Sequence, residues 1–356
     1  MRFSFDEDQL LFQTSLRDFL AKECTPEGIR AGWDEDRSHS PELWSQLAEL
    51  GVTGLLVPEA HDGMGMGEID SVLLFEEAGR AACPEPVVAT AAVAAPLLAE
   101  IGNVEFAGPW LARIGSGDAI VAVGHEVSPL VTDADLARLL LLQRGDAVHA
   151  VEPGACAITA QPANDPSRRL FRVDFTPSEA TRVADGELGR ALWAAALDRG
   201  ALACAAQLLG TTDKLIALSS EYAEQRHQFG KPIGSFQAVK HMLADCKVKL
   251  EYARPAVHRA AYSVAHSAAC SAADRSLHVS MAKVAAADAA LFSARRALQV
   301  HGAIGYTWEQ DLHIWMRRAW SLEQAWGRND FHRGRVEAAL FSDGARLGPG
   351  ETFRGD

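Results

Sequence analysis

Two long stretches of helical apolar periodicity enclose a shorter stretch whose period is not helical, and that order leaves few architectures open. Up to about Gly115 the pattern is helical, with Leu10, Leu11, Phe12, Leu16, Phe19 and Leu20 recurring as one apolar face. In SPELWSQLAELG (40–51), Ser40 is the expected cap, Pro41 takes the first helical position and Gly51 marks the stop. Residues 118–175 change character. DAIVAVGH, ARLLLLQR and AVHAVEP are short apolar runs broken by Gly, Asp and Pro. RLFRVDF (169–175) alternates Phe171, Val173 and Phe175 against Arg172 and Asp174, as a half-buried strand does. From about Glu187 the helical period returns. Phe236, Val239, Leu243, Cys246 and Leu250 fall on one face; Leu277, Met281, Val284, Ala287, Leu291 and Leu298 fall on another, with Gly302 and Gly305 ending that helix. The expectation is a mainly α chain: an N-terminal helical domain (1–116), a short β domain (117–185) and a C-terminal helical bundle (186–356). The tail GARLGPGETFRGD (344–356) reads as loose.

Composition narrows the function classes. With 356 residues, 48% of them hydrophobic, the chain is long enough for a large core in two or three packed units. A net charge of -13 argues against a generic nucleic-acid or anionic-membrane binder. MRFSFDEDQLLFQ has no basic-then-apolar leader, so no signal peptide is expected. The longest apolar stretch, VVATAAVAAPLLA (87–99), is too short to span a bilayer and contains Pro96. The six cysteines form no CxxC pair and read as reduced, mostly buried thiols. No His, Cys and carboxylate spacing suggests a metal site. The cytoplasm is the expected location.

One corner concentrates chemistry. In AEQRHQFGKPIGSFQAVKHMLADC (223–246), Arg226 closes a helix that Gly230 and Pro232 terminate, and a second helix follows. A guanidinium there can cap helix carbonyls, or serve as a forked donor to a phosphate or pyrophosphate. Phe229 offers a flat apolar wall beside it, and Gln228 and Gln237 offer neutral amides. YAEQRHQFGKPIGSFQAVKHMLAD (222–245) resembles the flavin-binding signature of acyl-CoA dehydrogenases, and QVHGAIGYTWEQDLHIWMRRA (299–319) resembles their second C-terminal signature. Residues 43–67 and 97–123 resemble the family's N-terminal stretch and its join to a β domain. The resemblance implies the acyl-CoA dehydrogenase fold with a C-terminal four-helix bundle. It implies FAD, bound so that its adenosine-diphosphate half reaches a neighbouring subunit. On this chain, Arg226, Gln228, Phe229 and Gln237 would meet the pyrophosphate and adenine side, and Gln299 and Gly302 the adenosine.

Other family features are absent. The family's usual catalytic Glu-Gly falls, by the resemblance, on Trp326-Gly327, and an alternative base position falls near Gly200. Neither carries a carboxylate. Glu323 and Asp198 are the nearest substitutes: Glu323 reads more simply as a solvated or ion-paired surface group, Asp198 as a local pair with Arg199. The acidic-Pro-Gly-Ser-Asp type motif expected where the β domain starts is replaced by AVGHEVSPLVTDAD, in which His125, Glu126 and Ser128 read as a turn. The chain therefore resembles the degenerate subunit of a heteromeric actinobacterial enzyme, paired with a catalytic paralogue on an acyl-CoA substrate, of which bulky steroid side-chain thioesters are examples. An electron-transfer flavoprotein-type acceptor is implied. Two alternatives stand beside this: a self-sufficient homomeric dehydrogenase with a displaced base, and a flavin-free scaffold of the same fold.

Overall fold

The structure is a computed structural model that describes residues 4–343 and Ala345; the remainder of the tail expected to be loose lies outside the described residues. Helices come first: α1 (Glu7–Glu23), α2 (Pro26–Asp34), α3 (Pro41–Glu49) and α4 (Glu68–Arg80), then a π-helical turn (Val88–Ala94) running into α5 (Ala95–Glu100), and α6 (Val104–Gly115). The caps explain several boundaries. Ser40 accepts from the Leu43 amide with Pro41 at the first turn, and Gly51 follows α3 at φ +82°. In α1 only part of the expected face is inward. Leu16 and Leu20 are buried, whereas Leu10 and Leu11 are exposed.

Strands follow: β1 (Val121–Gly124), β2 (Val131–Thr132), β3 (Leu139–Arg144), β4 (Ala147–Val151), β5 (Ala157–Gln161), β6 (Leu170–Asp174) and β7 (Arg182–Ala184). One sheet has the order β1-β3-β4-β7, with β1 parallel to β3 and the other pairs antiparallel. The second is an antiparallel β2-β6-β5 sheet. The run Leu139–Leu142 is buried on both faces. Leu139 and Leu141 join the helical core, while Leu140 and Leu142 join a separate core with Val131, Phe171 and Val173 of the second sheet. The first sheet is thus the middle layer between helices and an outer sheet, which is why its strand reads as unbroken leucine. Thr90 ties the π-helical turn to this layer, its hydroxyl donating to the Val121 carbonyl at 3.1 Å.

The long helices come last: α7 (Gly186–Gln225), a small hairpin of β8 (His227–Gln228) and β9 (Lys231–Pro232), α8 (Gln237–Ala265), α9 (Ala272–His301), α10 (Leu312–Gln324) and α11 (Asn329–Leu340). α7 is apolar and long enough for a membrane span, but 72% of its most apolar window is buried inside the fold. α4 crosses α7 at two glycines. A Cβ on Gly79 would sit 2.0 Å from the Gln207 carbonyl oxygen, and one on Gly210 would sit 1.8 Å from that of Glu76, so only glycine permits this approach. α9 corrects the sequence reading. Of the expected face only Ala287 is buried; the buried face is Ala282, Ala286, Ala287, Ala289, Ala290, Ala294 and Ala297, whereas Met281 is exposed and Leu277, Val284, Leu291 and Leu298 are only half-buried.

Candidate functional site

At its C-terminal end α7 gives way to the β8–β9 hairpin. Phe229 and Gly230 form its tip, at φ +53° and +79°, which a two-residue hairpin with both central residues left-handed requires. Gly230 adopts this freely; Phe229 does so at a cost of roughly 1–2 kcal/mol. The hairpin is otherwise well tied. The Ile233 amide donates to the Arg226 carbonyl at 2.8 Å, and the Ser235 hydroxyl donates to the Pro232 carbonyl at 2.8 Å. Phe229 is 91% exposed, with Phe236 edge-on at 6.1 Å. Arg226 is exposed, and among the described residues its guanidinium caps no carbonyl and pairs with no carboxylate. The Gln228 amide donates only to the adjacent His227 carbonyl, and Gln237 is exposed at the start of α8.

Gln299 is exposed near the end of α9, and Gly302 terminates that helix at φ +64°. The Tyr222 ring stacks on the His301 ring, 4.4 Å between centroids and 18° between planes. That contact brings the ends of α7 and α9 together, so Gln299 and Gly302 stand at the same end of the bundle as Arg226. Neither Tyr222 nor His301 was singled out from the sequence; an aromatic one turn before Arg226 and a His preceding Gly302 were the available signals. His301 donates from Nδ1 to the Ala297 carbonyl at 2.8 Å, and burial lowers its pKa.

The second region is a cavity of about 1010 Å³. It lies between the ends of the β layers, α9, α10 and the loop after α10, with Val123, Leu130, Leu170, Trp320 and Trp326 among its apolar walls. Trp326 stands at φ +54° followed by Gly327 at +91°. A Cβ on Gly200 would lie 2.1 Å from the Trp326 ring. The two positions at which the sequence suggested a base are therefore in contact, and an indole lies across a bare backbone between them. The loop is fixed from three sides. The Trp326 amide donates to Ser128 Oγ at 3.0 Å, and its carbonyl accepts from His332 Nε2 at 2.9 Å. Lys283, fully buried, donates from Nζ to the Glu323 and Gly327 carbonyls at 3.0 and 3.1 Å. Burial pulls that amine down to about 8 and His332 down to about 3.

Both substitute carboxylates are engaged elsewhere. Glu323 is only 8% exposed, so it is not the solvated surface group expected. Its Oε1 accepts from the Asn329 amide at 2.9 Å, at the start of α11, where a carboxylate suits the helix N-terminus. Asp198 is fully buried and does not pair with Arg199. It accepts from Arg275 at 2.9 Å, Arg335 at 3.1 Å and Ser276 at 3.0 Å, while Arg199 bridges Glu68 and Glu100. The segment 125–128 is the turn expected, with the Ser128 amide donating to the His125 carbonyl. Its polar groups are satisfied within the protein. His125 Nδ1 accepts from the Val127 amide, and Glu126 accepts from the Gly145 amide.

Comparison with known proteins places this architecture. The N-terminal domain of acyl-CoA dehydrogenases matches residues 6–118, and their C-terminal domain matches residues 188–341. The acyl-CoA dehydrogenase IpdE2 of Mycolicibacterium smegmatis is 31% identical over 94% of this chain and 99% of its own. The chain belongs to the acyl-CoA dehydrogenase family. Members are FAD-dependent oxidoreductases that act on acyl-CoA thioesters. Solved members superpose closely: a chain of the ChsE4-ChsE5 complex from Mycobacterium tuberculosis (TM-score 0.84, 25% identity, 97% of this chain and 100% of that one) and butyryl-CoA dehydrogenase from Megasphaera elsdenii (TM-score 0.85, 23% identity, 96% and 100%). The described residues contain no cluster of His, Cys, Asp and Glu able to hold a metal ion.

Proposed function

We propose that this acyl-CoA dehydrogenase chain is the non-catalytic partner in a heteromeric enzyme that introduces an α,β double bond into an acyl-CoA thioester, and that it lends the adenosine-diphosphate half-site for FAD to a catalytic paralogue. One observation carries the half-site part of the reading. The exposed clamp of Arg226, Gln228 and Phe229 lies about 26 residues along α7 from Gly200, or ~39 Å of helix, beyond the reach of one flavin dinucleotide. A clamp so far from its own chain's cavity suits a nucleotide whose ring lies on a neighbouring subunit, like or unlike; the non-catalytic part of the reading rests on Trp326 at the base position. The donor set fits the diphosphate end: a free forked cation, amides and a flat ring on a rigid hairpin. Gln237, Gln299 and Gly302 would complete it. FAD supplies the hydride acceptor when bound; this chain's part is to hold the nucleotide.

The cavity supports the same division. Its expected base position carries Trp326, and both nearby carboxylates, Glu323 and Asp198, are bound into the protein's own framework. That speaks against a self-sufficient homomeric enzyme, and the unpaired clamp speaks against a flavin-free scaffold. Similarity to a chain from a ChsE4-ChsE5 complex favours unlike subunits. The free cysteines suit a reducing, cytoplasmic setting, and an electron-transfer flavoprotein-type acceptor belongs to the same reading. The test is a visible spectrum. Purified alone, the chain is colourless; co-expressed with its paralogue, the complex is yellow and is bleached by acyl-CoA. Arg226→Ala lowers the FAD content of that complex. A yellow, acyl-CoA-reducible chain on its own, or unchanged FAD content in the variant, overturns the proposal.

A further inference from the structure

We infer that the cavity takes a molecule bearing an oxyanion group, a carboxylate or a phosphate, and that Arg168 is its anchor. The cavity lining carries guanidinium groups of Arg168, Arg295 and Arg328. Arg328 is paired with Asp330 at 2.7 Å, and Arg295 is exposed and donates to the Leu291 carbonyl. Arg168 differs from both. It is half-buried, and among the described residues its side chain has neither a hydrogen-bond nor an ion-pair partner. It stands where the cavity meets a small adjoining pocket lined by Glu85, Asp133 and Arg318. The acidic groups there leave it unneutralised at contact distance. Glu85 accepts from His39 and from the Ser40 amide, and Asp165 is paired with Arg318. Asp133 is buried, which pushes its carboxyl up to about 7 against the opposing pull of the nearby Arg168 charge, and among the described residues no hydrogen bond or ion pair joins the two. The carboxylate on the cavity wall, Glu323, is bound to the start of α11.

The segment carrying Arg168 is fixed before anything binds. The Arg168 amide donates to the Asp165 carbonyl at 2.9 Å, the Ser167 hydroxyl accepts from Trp33 Nε1 at 2.6 Å, and Asp165 is held by Arg318. A forked cation drawn partly out of water, rigidly presented and left unpaired beside apolar walls, is built for an incoming oxyanion. The inference concerns the cavity and does not depend on the distant clamp at Arg226.

Two sources offer that chemistry: a carboxylate on the acyl group itself, or the phosphate of a flavin. Quenching of tryptophan fluorescence reads occupancy, since Trp320 and Trp326 line the cavity. Adipoyl-CoA against hexanoyl-CoA isolates the carboxylate; FMN against riboflavin isolates the phosphate. The wild-type chain is expected to prefer the anionic member of one pair roughly 10- to 100-fold. Arg168→Gln abolishes that preference and Arg168→Lys keeps part of it. A preference confined to adipoyl-CoA assigns an acyl carboxylate, and one confined to FMN assigns the flavin phosphate. Should Arg168→Gln fail to fold, Arg168→Lys and Leu130→Trp decide, the latter filling the cavity and abolishing binding with Arg168 intact. No preference in the wild type, or the same preference in a folded Arg168→Gln, overturns the inference.

Discussion

Gly200→Ala gives a sharp test of how Trp326 occupies its place. The added methyl carbon would stand 2.1 Å from the indole, with two further ring atoms at 2.5 and 2.6 Å, against an optimal carbon separation of about 3.5–4.0 Å. The ring would have to retreat by more than about 1 Å. It is poorly placed to do so, because Ser128, His332 and Lys283 hold the backbone on either side. Overpacking of this kind costs about 1–3 kcal/mol, or several degrees of melting temperature in a chain of this size. Trp326→Ala alone removes a large buried side chain, at a cost of up to about 3–5 kcal/mol. Combined, the methyl enters the space the ring has left, so the double variant is more stable than the sum of the two losses by about 1–3 kcal/mol. Guanidinium unfolding followed by fluorescence and calorimetry measures all four corners of the cycle. Strict additivity, or a Gly200→Ala variant as stable as wild type, refutes the packing argument between Gly200 and Trp326.

The buried amine predicts a pH dependence. Lys283 titrates near 8 in the folded chain but near its ordinary value of 10.5 once unfolded. Between those values the unfolded chain binds more protons, so this group makes stability rise with pH over that window. The stability difference between wild type and Lys283→Met should shift toward wild type from pH 8 to 10.5, and a flat difference counts against the burial of this amine. His332, held neutral in the fold at a pKa of about 3, acts at the other end. It contributes stability that is lost as pH falls from about 6.5 toward 3, a component that His332→Gln should remove from acid-unfolding curves. Thiol labelling checks the core. Cys24, Cys83, Cys204 and Cys246 are buried and Cys156 and Cys270 half-buried, so native labelling stops at two of the six that unfolding exposes. More than two fast thiols contradicts the packing described.

Local signals were readable because their physics is local. Ser40, Gly51 and Gly302 act through the turn they stand in, and Phe171 and Val173 alternate because one strand has two faces. What escaped the sequence depends on partners far along the chain. Asp198 meets Arg275 and Arg335, 77 and 137 positions away, rather than its neighbour. Glu323 finds the start of a helix that had not been anticipated. The face of α9 was misjudged for a different reason. Large apolar residues dominate a periodicity count, but α7 and α8 pack so closely on α9 that alanine, not leucine, fills the seam. For the clamp, the sequence supplied residue types and their adjacency; the distance along α7 that separates it from the cavity needed the helix to be continuous.

The hairpin after α7 has its ladder, its left-handed tip and its closing hydrogen bonds in place within a single chain. Under the proposed half-site, an incoming subunit or nucleotide meets a finished relief and forfeits little conformational freedom there. On that proposal, seating at this edge is rigid, with the contact strength set by shape and charge rather than by local refolding.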